Sequence, residues 1–94
     1  MRAATLRAEI GFAWGIDPAA VRTILLESAK ASPHVDGTRE PTVLLTRLAD
    51  HSLSFLLVCH ARDYAEMGVA LSDIYERAYG RLMEAGIGIA VPVQ

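Results

Sequence analysis

Hydrophobic and polar positions first alternate along the chain and then recur at helical spacing. Residues 6–14 alternate with a period of two, as in a half-buried strand. Asp17 and Pro18 follow, and they predict a helix start because Asp caps helices and proline suits the first turn. Pro33 is expected to end this helix. Its apolar stripe falls on five positions with helical spacing: Val21, Ile24, Leu25, Ser28 and Ala29.

The middle of the chain predicts an exposed connection and then a hairpin. Residues 32–41 are polar and rich in proline and glycine, which indicates a loop. Two β-rich runs, 42–49 and 53–61, flank a turn at Asp50-His51-Ser52, and their short separation favours antiparallel pairing. One face of the second run is wholly apolar and comprises Leu53, Phe55, Leu57 and Cys59. The opposite face still carries Leu56 and Val58.

A second helix and a last strand are predicted in the C-terminal third. Asp63 and Glu66 have the spacing of a capping box, so the helix is expected to begin near them. Gly86 is expected to close it. The apolar stripe of this helix comprises Met67, Leu71, Ile74, Tyr75, Ala78 and Leu82. The last short strand is expected to contain Ile87, Ile89 and Val91, before Pro92.

This order of elements predicts an α+β fold. A β-α-β-β-α-β chain with right-handed crossovers gives a ferredoxin-like sandwich, in which two helices cover one face of a four-stranded antiparallel sheet. The whole chain, residues 1–94, is expected to form a single domain with its core within about 6–91. The related arrangement of ACT-type regulatory domains is the alternative.

Composition narrows the choice of partners. The chain has 94 residues, with nine Lys plus Arg, eleven Asp plus Glu and a formal net charge of −2, which offers no basic surface for nucleic acid. Its hydrophobic content of 52% exceeds the ~45–50% of ordinary domains. Because two helices cover only one side of such a sheet, we expect Leu56 and Val58 to meet protein on the other side. The default partner is another protein or a second copy of the chain.

The sequence also bears on where the protein resides. A single cysteine, Cys59, cannot form an internal disulfide, which fits a reducing compartment. The longest apolar run, 55–59, is far shorter than the ~20 residues that span a bilayer. The N-terminus lacks the apolar region of a signal peptide. These residues are therefore expected to be soluble, and they can be one piece of a longer polypeptide.

Two groups of residues contain chemically capable side chains but lack a suitable arrangement. Asp50, His51 and Ser52 are consecutive in a turn and cannot align as a catalytic triad. Cys59 and His60 are neighbours in a strand and point to opposite faces, so they cannot bind one metal ion together. Asp63 lies close to them in sequence, and His34 and Asp36 are more distant candidate ligands. The sequence therefore predicts no catalytic, metal or cofactor site.

Residues 10–94 resemble a known domain through a series of short matches. The matches begin at Asp17-Pro18 and its helix, and they end at the string Gly86-Ile87-Gly88-Ile89. Between them lie Pro33-x-Val35, Pro41-x-Val43 and Asp50-x-Ser52-Leu53. In their order and spacing, these matches resemble the C-terminal cytoplasmic α+β domain of MscS-like, small-conductance mechanosensitive ion channels.

The resemblance implies a channel subunit and not an enzyme. Such domains belong to heptameric channels, in which they lie on the cytoplasmic side of the cell membrane and form a hollow vestibule. The membrane would be reached only through upstream segments of a parent chain. With the apolar sheet face, this gives an expected oligomer interface comprising Leu56, Val58, Ile87, Ile89 and Val91. The alternative function is an ACT-like regulatory domain, which would bind a small molecule at a dimer interface.

Overall fold

The computed structural model describes residues 4–88. This part of the chain contains three strands, two α-helices and one short 3₁₀ turn. The elements in chain order are β1 (Ala4–Ala13), α1 (Pro18–Ala31), β2 (Thr42–Leu48), β3 (Ser52–Ala61), the 3₁₀ turn (Tyr64–Glu66) and α2 (Met67–Glu84). The predicted elements are therefore present up to the end of the second helix, with boundaries shifted by a few residues.

Local chemistry sets the helix ends. The carboxylate of Asp17 accepts a hydrogen bond from the Ala19 amide at 3.0 Å, and Pro18 begins α1, as predicted. The carboxylate of Asp63 accepts from the Glu66 amide at 3.2 Å. That cap starts the 3₁₀ turn, so α2 itself begins only at Met67, four residues after the predicted cap.

The three strands form one antiparallel sheet in the order β1-β3-β2. The strand β3 is central and pairs along its length with β1, from Ala4 opposite Ala61 to Ala13 opposite Ser52. The predicted hairpin is confirmed, since β2 and β3 are antiparallel. The register of β2 shifts between Leu45 and Arg47, which is typical of a β-bulge.

A fourth strand is not confirmed. Ile87 and Gly88 follow α2 without strand structure, whereas Ile89 and Val91 lie outside the described residues. Gly86 has a φ of 74°, and the amide of Ile87 donates to the carbonyl of Leu82 at 2.9 Å. This is the predicted glycine stop, in which a left-handed residue lets the chain turn back on the helix.

Both helices pack on the same face of the sheet. The buried side chains of β1 and β3 alternate, and they share one core with the buried faces of α1 and α2. The opposite sheet face remains partly exposed. The core members are Leu6, Ala8, Ile10, Phe12, Val21, Leu25, Ala29, Val35, Val43, Leu53, Phe55, Leu57, Cys59, Ala61, Ala70, Ile74, Ala78 and Leu82.

Two details of the predicted core were wrong. Tyr75 was placed on the buried stripe of α2, but it is 39% exposed, whereas Ala70 is fully buried. The reason is the direction of the buried face: its members Ala70, Ile74, Ala78 and Leu82 recur every four residues, which leaves Tyr75 at its margin. Segment 32–41 was expected to be exposed, yet Val35 is buried and forms an isolated bridge with Ala61.

Candidate assembly surface

The sheet face away from the helices carries an apolar centre. Leu56 and Val58 project there from the central strand and are half-buried, as the alternation predicted. Leu44 lies opposite Leu56 in the register and is 50% exposed. We call Leu44, Leu56 and Val58 the outer patch. Its side chains share one face because paired residues of neighbouring strands point the same way.

Polar side chains border the outer patch. On the β1 side, Glu9 pairs with Leu56 and Arg7 pairs with Val58 in the register. Towards one end of the sheet, the Nδ1 atom of His60 lies 3.4 Å from Thr5 Oγ1 and 3.3 Å from Arg39 Nη1. An apolar centre with a polar rim is the usual layout of a protein contact surface.

The predicted interface residues are not all brought together. Leu56 and Val58 are neighbours on the outer face, as expected. Ile87 is partly buried against the core, on the helix side of the sheet. Ile89 and Val91 lie outside the described residues. Leu44 was not predicted as an interface residue, although an apolar second face on β3 favours an apolar partner opposite it in the hairpin.

The candidate metal ligands point in different directions. Cys59 is fully buried on the helix side, where burial raises the pKa of its thiol to about 11. His60 lies on the outer face. Among residues 4–88, no three or more His, Cys, Asp and Glu side chains are grouped so that they could hold a metal ion.

A polar cluster ties the connection after α1 to the start of α2. His34 Nδ1 lies 3.0 Å from Glu66 Oε1, and the Arg62 guanidinium donates to the Pro33 carbonyl at 3.2 Å. The first two contacts hold the connection against the residues that follow β3. Within α2, the Arg77 guanidinium donates to Asp73 at 2.8 Å and holds the pKa of that carboxyl below its usual value. The His34–Glu66 and Arg77–Asp73 pairs are both partly exposed to solvent.

The fold is shared with domains of channel proteins. Superposition with the crystal structure of Helicobacter pylori MscS in its closed state gives a TM-score of 0.86 at 17% sequence identity, covering 100% of this chain and 37% of that one. The cryo-EM structure of Arabidopsis thaliana MSL1 A320V gives a TM-score of 0.79 at 11% identity, with coverages of 98% and 36%. The wild-type structure of the same plant protein gives a TM-score of 0.77 at 14% identity.

The sequence itself identifies the family. The family model described as "Mechanosensitive ion channel MscS, C-terminal" matches residues 6–89, which is most of the chain. The chain therefore belongs to the MscS family of mechanosensitive ion channels, through their C-terminal domain. No curated protein matches it in sequence.

The comparisons also show how much of a channel subunit this chain represents. The chain spans little more than a third of the channel subunits it resembles, 37% in the bacterial case. The family is a channel domain and not a known enzyme family. None of these comparisons supports the ACT-like alternative. Neither α-helix in the described part of the chain is long and apolar enough to cross a membrane.

Proposed function

We propose that this chain is the C-terminal domain of a mechanosensitive channel subunit, where it holds the oligomer together and forms part of the wall of the cytoplasmic vestibule. The family match over residues 6–89 is the observation that carries this proposal. Seven copies is the number that the family resemblance implies. Ion conduction would belong to other segments of the parent protein.

The outer patch supports a role in assembly. Leu44, Leu56 and Val58 form an apolar group on a sheet face that neither helix covers. Burying a fully exposed side chain of this size contributes about 1.5–3 kcal/mol. Because these side chains are already half covered, contact with another copy would contribute on the order of 1 kcal/mol each. We also propose that Ile87, Ile89 and Val91, which we call the trailing segment, contact the same residues of other copies in the assembly.

Sedimentation of the purified chain tests this proposal. Val58→Asp places a charge in the centre of the outer patch, and Ile89→Asp places one in the trailing segment. We expect either change to abolish higher oligomers while the monomer stays folded, because an interface does not readily bury an unpaired carboxylate. Far-UV circular dichroism verifies that each variant is folded.

Thr23→Asp is the matched control, because Thr23 is exposed on α1 and lies away from the outer face. It should leave the sedimentation coefficient unchanged. If Val58→Asp and Ile89→Asp both retain the wild-type mass in solution, the proposed interface is wrong. A wild-type chain that remains monomeric at every concentration would argue against the assembly function itself.

A further inference from the structure

An apolar groove lies between β1 and α2, along the edge of β1 that faces away from β3. It has a volume of about 400 Å³, and we call it the β1 groove. Tyr75 and Tyr79 stand one helical turn apart on its α2 side and are 39% and 56% exposed, while Ile10 lies on its strand side. In the sheet described for residues 4–88, β1 pairs only with β3. An extended segment can therefore add to this edge as a strand and place its side chains in the groove.

The chain leaves α2 at one end of the β1 groove. Leu82 lines the groove, and its carbonyl accepts a hydrogen bond from the Ile87 amide at 2.9 Å. Gly86, with a φ of 74°, turns the chain back at this point, and Ile87 packs against the core. Residues 89–93 span about 16 Å when extended, which is the length of about three helical turns. The end of the chain therefore starts beside the groove and is long enough to fill it.

The alternation of residues 87–93 suits such a strand. One side of an extended chain would carry every branched apolar side chain of this stretch: Ile87, Ile89, Val91 and Val93. Because Ile87 packs against the core, this side would face the groove. Pro92 belongs to the other set of positions. When the branched set bonds to β1, the nitrogen of Pro92 lies at the outer edge, where a missing N–H removes no hydrogen bond from the sheet.

The spacing along the strand also matches the spacing along α2. Two residues of a strand advance about 6.6 Å, and four residues of a helix advance about 6 Å. An extended segment that starts beside Leu82 and runs back along α2 therefore sets Ile89 level with Ala78 and Val91 level with Tyr75. Each of these α2 residues lines the groove.

From this agreement of position, length and alternation, we propose that residues 89–93 of the unassembled chain fold back into the β1 groove as an added edge strand. The trailing segment is assigned above to contacts between copies, so it must leave the groove before those contacts form. The groove contact therefore competes with assembly, and to that extent it rests on the proposed function. Occupation of the groove by the free chain does not depend on assembly.

A disulfide between the groove and the end of the chain tests the contact. Mild oxidation of Tyr75→Cys/Val91→Cys at low chain concentration should give a monomer with an internal disulfide, because the proposed strand sets the two positions side by side. Intact mass and non-reducing denaturing electrophoresis measure the product. Cys59 should not take part, because it is fully buried and its pKa is raised to about 11.

The matched control is Glu76→Cys/Val91→Cys. Glu76 is the next residue along α2, but it lines a separate depression beside His34 and not the β1 groove. Its thiol should therefore remain reduced under the same conditions. An internal disulfide that forms equally well from both positions would show a loose end, and would overturn the groove contact.

Amide hydrogen exchange provides a second measurement. The added strand should protect those β1 amides that point away from β3. Ile89→Asn should open the groove and speed their exchange about tenfold or more, because a strand that detaches exposes its partner edge. Ala90→Asn is the control, since its side chain projects from the opposite side, and it should leave the exchange unchanged. Equal effects of the two changes would contradict the proposed orientation.

The internal disulfide also tests the competition with assembly. Oxidised Tyr75→Cys/Val91→Cys should remain monomeric at concentrations at which its reduced form associates, and a reductant should restore association. Sedimentation measures both states. If the oxidised form associates as well as the reduced form, the segment need not leave the groove, and the proposed competition is wrong.

The possible results separate the groove contact from the assembly function. A folded Tyr75→Cys/Val91→Cys variant that forms no internal disulfide would overturn the groove contact and leave the assembly function untouched. Disulfides that form only between chains would show that the groove receives the end of another copy, and would also overturn it. A wild-type chain that stays monomeric at every concentration, combined with an internal disulfide in the variant, would overturn the assembly function alone.

Discussion

The burial of a single residue in this protein depends on the face of the sheet or helix on which it lies. Along β3 every second side chain is buried, and the intervening ones are half-buried on the outer face. Phe12 and Phe55 meet edge to face in the core, with ring centroids 5.7 Å apart. A change of one residue therefore affects stability or association according to the face on which it lies.

The helix faces are tested by truncating buried side chains. Leu25 and Ile74 are both fully buried, so Leu25→Ala and Ile74→Ala should each lower the free energy of unfolding by about 2–5 kcal/mol. Urea denaturation measures the change. Met83→Ala, at a position 62% exposed on α2, is the control and should change stability by about 0.5 kcal/mol or less. A negligible shift in the urea midpoint at Leu25 and Ile74 would show that the core is assigned to the wrong positions.

The thiol of Cys59 reports on the integrity of the core. Burial raises its pKa from 9.0 to about 11, and the thiolate is the reactive form, so a disulfide reagent at pH 8 should react only after unfolding. Because the pKa of this thiol is higher in the folded state, its contribution to the free energy of unfolding is complete at low pH. That contribution is lost as the pH rises from 9.0 to about 11. Cys59→Ser should remove this part of the pH dependence. Rapid labelling of the folded protein would contradict the described burial.

At the level of elements, the ends of each helix are set by a few short contacts. The carboxylate of Asp17 fixes the start of α1, and Gly86 lets the chain turn after α2. The hairpin is closed by the Ala49 amide, which donates to the Ser52 carbonyl at 2.8 Å. The contacts at each of these ends join residues that lie close in sequence, so short motifs are enough to predict them.

Replacement by alanine should change the stability of the protein in opposite directions at two glycines with similar surroundings. An added Cβ would meet no atom within 4 Å at either Gly80 or Gly86. Gly80 lies within α2, so Gly80→Ala should stabilise the protein by about 0.5–1 kcal/mol. Gly86 has a φ of 74°, so Gly86→Ala should destabilise it by about 1 kcal/mol. Thermal unfolding of the two variants measures the difference, and a shift of the same sign in both would contradict the turn geometry.

At the scale of the whole molecule, one core joins the sheet to both helices. The buried apolar side chains of residues 4–88 form a single cluster, so the elements should unfold together. The indole N–H of Trp14 donates to the Ser52 carbonyl at 3.0 Å and connects the end of β1 to the start of β3. Trp14 is the only tryptophan and therefore reports on the sheet.

Unfolding should depend on chain concentration if the assembly proposal is correct. Association stabilises the folded state by mass action, so the urea midpoint of the wild type should rise with concentration. For Val58→Asp the midpoint should remain constant, because the monomer is the folded species. At low concentration, Trp14 fluorescence and far-UV circular dichroism should give coincident transitions. Separate transitions would show that the sheet and helices do not share one cooperative core.

The local signals of the sequence determined the order of elements and much of the core. The cap at Asp17, the glycine at Gly86 and the two-residue alternation of β3 each depend on neighbours in the chain, and each was predicted correctly. The resemblance to the MscS C-terminal domain was also carried by short motifs, and the family match confirms it.

Only the tertiary structure decided how those elements fit together. Ala70 is buried and Tyr75 is partly exposed because the face of α2 that meets the core follows positions 70, 74, 78 and 82. Val35 is buried and forms a bridge with Ala61. The exposed leucines of β2 and the groove beside β1 became visible only once the strand order was known. Such features depend on contacts between residues far apart in the chain, which hydrophobic periodicity does not encode.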